Sequence, residues 1–408
     1  MKILIISQYF PPEPDLKISG LSEGLSKLGH DVTVVTGFPN YPHGKLYSGY
    51  KLRLFQKEQI NGVNIIRLPL VADRNRSAFW RALNFLSFML STSILIPILY
   101  RKPDITWVYF PPLTLGITAL IVNLFFRSPY VCEIQDMWPE TLEATGFIKN
   151  KTALKLIGNI GKLAYKKSSA VTVISDGFKK NIESKGIESS KIHVIHNWAY
   201  EKDDYNDFVD INLSKELGFT NYFNILYAGN MGAAQGLTNV ISAAEQLTDL
   251  RYLQFVMVGT GIEKNDLEKL AKEKRLNNIL FLERLPMDKM PLIYALSDAL
   301  MVHLVDDPLF EITIPGKTQS CLLSGKPVIA SVKGDAANLI EKAKAGYAVK
   351  PMSPNELALA VRKLYNLTPR ERQEMGQAGR QFYFENLSPK VQVQKYEKLF
   401  KKIIAENK

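Results

Sequence analysis

Hydrophobic and polar positions alternate along the chain in two periods. Short apolar runs rich in β-branched residues recur at residues 3–6, 31–36, 63–68, 105–109, 130–133, 170–174 and 191–195, with helical spacing between them. Strands of this kind, separated by helices, predict a parallel sheet covered on both faces. One of the helices, from about Ser19 to Leu28, stops at Gly29, the usual place for a left-handed C-cap. A second series begins at residues 223–228 and continues through 253–258, 279–282, 299–304 and 327–331. Two series predict two domains, residues 1–200 and 208–387. The acidic segment 199–208, with Glu201, Asp203, Asp204 and Asp207, reads as the linker. A last helix, about 390–404, carries Val391, Tyr396, Leu399, Phe400 and Ile403 at helical spacing, and the segment 388–408 is expected to rejoin the first domain.

One stretch departs from this alternation. Residues 82–100 carry no charge and are just long enough to cross a bilayer, yet they include Asn84, Ser87, Ser91, Thr92, Ser93 and Pro97. Arg74, Arg76 and Arg81 precede the stretch and Arg101 and Lys102 follow it, so the flanking charge sets no orientation. It reads as a buried or interfacial helix whose basic collar touches lipid headgroups. A true span and an ordinary core helix are the other readings.

Charge sharpens the division. Residues 1–200 hold 24 Lys and Arg against 14 Asp and Glu, so +10 of the chain's formal +11 lies in the first half. That half is expected to meet something anionic: nucleic acid, an acidic membrane surface or a phosphorylated acceptor. A hydrophobic fraction of 46% and a charged fraction of 22% over 408 residues belong to a globular chain with enough length for two cores. Cys132 and Cys321 are far apart, with no CxxC or Cys/His spacing, so neither a disulfide framework nor a structural zinc site is predicted and a reducing cytosol fits. The N-terminus reads as a first strand cut short by Pro11 and Pro12 and not as a signal peptide. His30, His43, His193, His196 and His303 are scattered, and no metal site is predicted.

Candidate chemistry lies where strands end. Gly229-Asn230-Met231-Gly232 follows one strand and opens a helix near Gly236, while Val258-Gly259-Thr260-Gly261 ends the next strand. Either alone also reads as a plain tight turn. Together, at one sheet edge, they suit a nucleotide crevice, because glycine lets backbone approach a phosphate and a helix N-terminus presents free N–H groups. Pro315-Gly316-Lys317-Thr318-Gln319-Ser320 starts another helix with Lys317 in its first turn, unfavourable against the helix dipole unless an anion sits there. In the first half, Glu133 to Glu140 sets carboxylates beside Trp138 at a strand end. Asp136 there reads either as a base or sugar ligand, or as a helix cap ahead of Pro139. Glu13 lies in the loop Pro11-Pro12-Glu13-Pro14, which leads through Lys17 and Gly20 into the first helix.

These segments together resemble glycosyltransferase family four, in particular the bacterial O-antigen and capsule subgroup that includes L-fucosamine transferases. The resemblance is carried by Gln8 to Pro14, Gly29-His30-Asp31-Val32, Pro39-Asn40-Tyr41-Pro42-His43-Gly44, Gln135 to Glu140, Gly229 to Gly236 and Pro315 to Pro327, in that order and over nearly the whole chain. It implies an α/β GT-B architecture, two Rossmann-like domains with parallel sheets facing across a cleft. The C-terminal domain would bind the donor, a UDP-sugar that is a substrate and not a cofactor, through Gly229, Asn230, Gly232, Gly259, Gly261, Arg284, Pro315, Lys317, Gln319 and Ser320. The N-terminal domain would bind a polyprenyl-diphosphate-linked acceptor through Glu13, Lys17, Gly20, Trp138 and Glu140. Asp136 and Glu311 are the expected catalytic residues, the anomeric configuration is retained, and no metal is needed.

The chain departs from the broad family at four places. Asn230 and Gln235 stand where an Arg and a Lys are usual, Ser320 replaces the second of two paired glutamates, and Gln135 replaces a histidine. The phosphate clamp then falls to Lys317 and Arg284. The expected setting is cytoplasmic, peripheral on the inner face of the cell membrane, with no nucleic acid as partner; a GDP-sugar donor in exopolysaccharide synthesis is the alternative. An epimerase or dehydrogenase is disfavoured because Gln8-Tyr9-Phe10-Pro11-Pro12 stands where a GxGxxG would be. A non-catalytic nucleotide- or lipid-binding protein would gain nothing from Asp136 and Glu140.

Overall fold

The computed structural model describes residues 1–72, 77–144, 148, 150–201 and 210–407. Arg74 and Arg76 of the expected collar, and Asp203, Asp204 and Asp207 of the expected linker, lie outside the described residues. The chain divides into two compact units, one of Met1–His196 with Pro389–Lys408 and one of Asn197–Ser388.

The first unit is built on eight strands: β1 (Lys2–Ile6), β2 (Asp31–Gly37), β3 (Gln56–Ile60), β4 (Val63–Leu68), β5 (Ile105–Phe110), β6 (Tyr130–Ile134), β7 (Ala170–Val173) and β8 (Ile192–Val194). Its helices are α1 (Lys17–Lys27), α2 (Ala78–Leu99), α3 (Leu115–Phe126), α4 (Glu140–Ala144), α5 (Lys151–Lys167) and α6 (Asp176–Ser184). The strands run in the order β3-β4-β2-β1-β5-β6-β7-β8, parallel except that β3 is antiparallel to β4. Ile3 to Ile6 are fully buried, which is why β1 reads as an unbroken apolar run at the centre of the sheet. The chain winds outward from β1 to β4 and then returns to add β5 on β1's other side, so the switch point lies between β1 and β5 and favours a ligand at their carboxyl ends.

Strand β3 is absent from the apolar pattern. Its sequence, Gln56-Lys57-Glu58-Gln59-Ile60, is polar because an edge strand is only half covered. Asn61 and Gly62, at φ of 50° and 80°, form the two-residue turn that pairs Ile60 with Val63, so the Asn-Gly dipeptide was the available signal.

The second unit contains β9 (Phe223–Ala228), β10 (Leu253–Val258), β11 (Ile279–Leu282), β12 (Ala299–His303), β13 (Val328–Ser331) and β14 (Gly346–Val349), all parallel in the order β11-β10-β9-β12-β13-β14. Helices α7 (Ile211–Glu216), α8 (Thr238–Glu245), α9 (Lys264–Glu273), α10 (Met290–Ala295), α11 (Pro308–Glu311), α12 (Gly316–Ser324), α13 (Gly334–Lys342), α14 (Pro354–Asn366) and α15 (Pro369–Asn386) cover it. Here the switch point lies between β9 and β12. The helix that opens near Gly236 is a 3-10 turn, Ala233–Gln235, followed by α8.

The last helix, α16 (Pro389–Glu406), belongs to the first unit. It packs on α1 where Gly24 leaves room: a Cβ there would lie 2.7 Å from Val393. Tyr396 is fully buried and donates its hydroxyl hydrogen to Glu133 Oε2 at 2.6 Å, tying α16 to the end of β6.

Candidate active site

In the second unit the loops after β9 and β10 pack backbone against backbone. A Cβ on Gly259 would stand 1.9 Å from the Gly229 carbonyl oxygen, and one on Gly261 would stand 2.1 Å from that of Met231. Gly229 and Gly259 also sit at φ of 149° and 146°, where a side chain is strained. Glycine at these positions is therefore a requirement of the close approach of the two turns. Gly259→Ala is expected to destabilise the protein by about 1–3 kcal/mol or more and to abolish nucleotide binding, checked by thermal unfolding and by titration with UDP. An unchanged melting temperature would show that the turns can separate freely.

Beside these turns lies a cavity of about 400 Å³, within the range of small-ligand pockets. Gly229, Asn230, Gly259, Thr260, Arg284 and Ser320 supply its polar lining, and Met287, Met290, Pro291, Tyr294 and Leu323 an apolar wall suited to a flat base. Arg284 is exposed, and among the described residues its side chain has no hydrogen bond or ion pair.

Helix α12 begins at this edge. Its N-cap is Pro315, without a side-chain cap; the Thr318 N–H donates back to the Pro315 carbonyl at 2.8 Å, and the Gly316 and Lys317 N–H groups ahead of it stay open to an anion. The Lys317 Nζ lies 3.9 Å from the centre of the Tyr227 ring and donates to the Tyr227 hydroxyl at 2.7 Å. Tyr227 donates in turn to the Asn230 carbonyl at 2.6 Å. A Cβ on Gly229 would stand 3.0 Å from Nζ, so the ammonium rests against the first glycine turn. Burial lowers the Lys317 pKa from 10.5 to about 8. Among the described residues Lys317 is held by a tyrosine and no carboxylate, the arrangement expected where a ligand brings the counter-charge.

The Gly232–Gly236 segment is fixed from behind. His303 at the end of β12 contacts the Gln235 carbonyl through Nδ1 at 2.6 Å and the Asn239 amide nitrogen through Nε2 at 2.8 Å. These partners require the neutral ring protonated at Nδ1, and burial lowers its pKa to about 4. Asn230 and the N–H of Gly232 both donate to Gln235 Oε1, at 3.0 Å and 3.2 Å, so Gln235 shapes the loop. Tyr227 and Asn239 sit in elements that read as core, and His303 reads in the sequence only as one of five scattered histidines, so the parts they play here appear only in the fold.

The remaining donor candidates divide. Ser320 lines the cavity, whereas Gln319 is buried and turns inward, its amide placed to donate to the carbonyls of Pro315 and Gly316 at 3.0 Å. Glu311 ends α11 outside the cavity lining, half-exposed and 4.0 Å from Lys333 Nζ. Gly334, at φ of 63°, brings the following loop against its backbone, where a Cβ would stand 1.9 Å from the Glu311 carbonyl oxygen.

In the first unit most acceptor candidates are engaged in the fold. Glu13 is buried and accepts from the backbone N–H of Asn40, Tyr41 and Phe10 at 2.7, 2.8 and 3.3 Å. Burial raises its pKa to about 7 against those donors. Lys17 is also buried, 3.7 Å from Glu133, and donates to the His196 carbonyl at 3.2 Å. Glu140 pairs with Lys185 at 2.7 Å, Gly20 lies in the first turns of α1, and the Trp138 ring lies 5.9 Å from that of Phe85. Asp15, missed in the sequence, caps α1 by accepting from Ile18 and Ser19 N–H at 2.9 and 2.7 Å.

Asp136 differs from all of these. It is exposed on the loop after β6, and among the described residues its carboxylate has no hydrogen bond or ion pair, so it does not cap α4. Surrounding protein nevertheless raises its pKa by desolvation. Burial first, then the carboxylates of Asp15, Glu133 and Asp136, hold the nearby Tyr109 phenol above its ordinary range. Among the described residues no three His, Cys, Asp or Glu side chains gather as metal ligands.

Comparison with known proteins agrees with this geometry. One family model, the glycosyl transferase 4-like domain, matches residues 17–198, and another, glycosyl transferases group 1, matches residues 210–382. Sucrose-phosphate synthase from Thermosynechococcus elongatus superposes with a TM-score of 0.75 at 16% identity, over 99% of both chains. The Anabaena protein HepE, solved with UDP-glucose, gives 0.68 at 18% identity over 98% of this chain and 100% of that one. The chain is thus a glycosyltransferase with the GT-B fold. Within that class it joins a glycosyl transferase 4-like domain to a glycosyl transferases group 1 domain. A relative in Escherichia coli K12, provisionally described as the colanic acid biosynthesis glycosyl transferase WcaI, is 26% identical over 75% of this chain and 76% of its own length. The alpha-D-kanosaminyltransferase of Streptomyces kanamyceticus is 25% identical over 52% of this chain and 55% of its own.

Proposed function

We infer that the chain moves a hexosyl group, N-acetyl-L-fucosamine or a related deoxy or N-acetyl hexose, from a UDP-sugar to a saccharide on polyprenyl diphosphate. The reaction retains anomeric configuration and serves O-antigen or capsule assembly on the cytoplasmic face of the membrane. The observation that carries this reading is the convergence of Lys317 Nζ, the Gly229 turn and the open N-terminus of α12 beside a partly apolar cavity. Diphosphate and base then have separate partners. The UDP and UDP-glucose complexes of the similarly folded HepE support the choice of nucleotide, and the colanic acid relative supports a polysaccharide product.

In the transfer the anomeric C–O bond to the diphosphate breaks as a bond to the acceptor hydroxyl oxygen forms. The negative charge grows on the leaving diphosphate, where fixed donors that need no reorganisation are most effective. Lys317 and the α12 N–H groups supply them. Asp136, whose carboxylate has no partner among the described residues and whose pKa is raised by desolvation, is the group proposed to hold the acceptor hydroxyl or take its proton.

With the leaving charge met by protein groups, donor turnover is expected to proceed unchanged in excess EDTA. UDP release from each candidate UDP-sugar measures this directly. Loss of turnover in EDTA, restored by magnesium or manganese, would show that a metal does the work assigned to Lys317.

A further inference from the structure

Helix α2 is apolar on both sides: Phe88, Met89 and Ile96 are buried against the protein. Its polar residues face the protein: Asn84 pairs with Gln8 and donates to the Val71 carbonyl at 2.6 Å, and Ser91 donates to that of Pro69 at 2.6 Å. Thr92 and Ser93 meet Thr118 of α3 at 2.8 and 3.1 Å. The outer side is an apolar stripe in which Leu86, Leu90, Ile94 and Ile98 follow one another at four-residue spacing, with Phe79 seven residues ahead of Leu86; Phe79, Leu90, Ile94 and Ile98 are exposed at 70%, 54%, 61% and 71%. From Phe79 to Ile98 the stripe runs about 28 Å at the helical rise.

The stripe continues sideways. Helix α3 packs against α2 and exposes Leu124 and Phe125, and α5, which packs against α3, exposes Leu156 and Leu163. Monomeric proteins rarely leave so large an apolar surface in water. Its charges have one sign. Residues 77–103, 111–129 and 150–168, which make up the three helices and their flanks, contain nine basic residues and no acidic one. Lys155 and Lys162 lie beside Leu156 and Leu163 on α5, all exposed, and Arg127 follows α3.

We propose that the α2–α3–α5 face is a monotopic docking surface for an anionic bilayer, with α2 lying in the plane of the interface. Apolar side chains enter the acyl boundary while lysines and arginines meet the anionic headgroups. A span would require Asn84, Ser91, Thr92 and Ser93 to abandon their partners for hydrocarbon. The proposal deepens the lipid-linked acceptor reading above and rests on it for its purpose, but its test stands apart.

The test is co-sedimentation of the full chain with vesicles of equal parts phosphatidylethanolamine and phosphatidylglycerol, compared with phosphatidylcholine alone. Wild type is expected on the anionic vesicles. L90E/I94E should weaken partitioning about 100-fold or more and K155E/K162E about 30-fold. Both should keep the wild-type melting temperature and UDP affinity, since these side chains are exposed in the first unit. Labels at F79C, L90C and I98C, in a chain whose Cys132 and Cys321 are buried, should be quenched alike by a shallow lipid quencher. A deep label at residue 90 with shallow ends would mean a span and overturn the proposal. So would unbound wild type, undiminished binding by L90E/I94E, or a wild-type dimer that L90E/I94E dissolves without any vesicle binding. If docking fails while sugar reaches a detergent-dispersed lipid acceptor, only the docking surface is lost. If docking holds and no nucleotide sugar is turned over, only the transferase substrates are wrong.

Discussion

Lys317→Met is expected to lower turnover about 30- to 1000-fold in a protein that still folds, because one charge-assisted contact to a leaving diphosphate contributes about 2–4 kcal/mol to the transition state. The variant keeps the length of the side chain over the Tyr227 ring and removes only the ammonium. It should melt no lower than wild type, since a desolvated charge without a carboxylate partner costs stability. The sign of the pH dependence follows from burial. The folded-state pKa of about 8 lies below the 10.5 of a free lysine, so burying the ammonium destabilises the fold below pH 8, and that cost fades as pH rises toward 10.5. Binding shows the opposite trend. UDP affinity should fall as pH rises through about 8 in wild type, where Lys317 loses its proton, and stay flat in Lys317→Met. Calorimetric titration across that range and steady-state rates check both statements. A folded variant with near wild-type turnover would remove Lys317 from the leaving-group chemistry.

Asp136→Asn should reduce turnover about 100-fold or more with the melting temperature unchanged, because general base or hydroxyl-holding work needs the charge. Asp136→Ala should behave the same way. The carboxylate accepts no hydrogen bond among the described residues, so truncation removes no cap. Were Asp136 a capping residue, Asn would be harmless and Ala would cost roughly 0.5–2 kcal/mol of stability. Rates and unfolding temperatures of the two variants separate the cases. An active Asp136→Asn enzyme would direct attention to Glu311, since Glu13 is held by three backbone N–H groups and Glu140 by Lys185.

The parallel strands were legible because burial on both faces writes itself as apolar runs such as Ile3 to Ile6 and Leu253 to Val258. Edge strand β3 escaped because it is polar and only half covered, although Asn61-Gly62 marks its hairpin, and β14 because Gly346-Tyr347-Ala348-Val349 is too short and glycine-led to stand out as an apolar run, unlike Ile279-Leu280-Phe281-Leu282 at the other edge. The glycine turns and Lys317 were legible because their local chemistry is awkward without an anion. Tyr227 was not, since a tyrosine in an apolar strand looks like core until Lys317 is seen above it. Lys17 illustrates the opposite limit. Sequence places a lysine at a strand-edge loop, but only the fold brings Glu133 and Tyr396 from distant segments to enclose it. Likewise, the polar residues of 82–100 were visible while the direction they face was not.

The most direct test of sugar transfer is mass spectrometry of polyprenyl-diphosphate-linked saccharides incubated with the purified chain and a panel of UDP- and GDP-sugars in EDTA. Under the proposed mechanism one UDP-sugar yields an acceptor heavier by a single hexosyl unit, with UDP released in equal amount and the new linkage keeping the donor's anomeric configuration by NMR. UDP binding without transfer from any nucleotide sugar, or a product of inverted configuration, would contradict it.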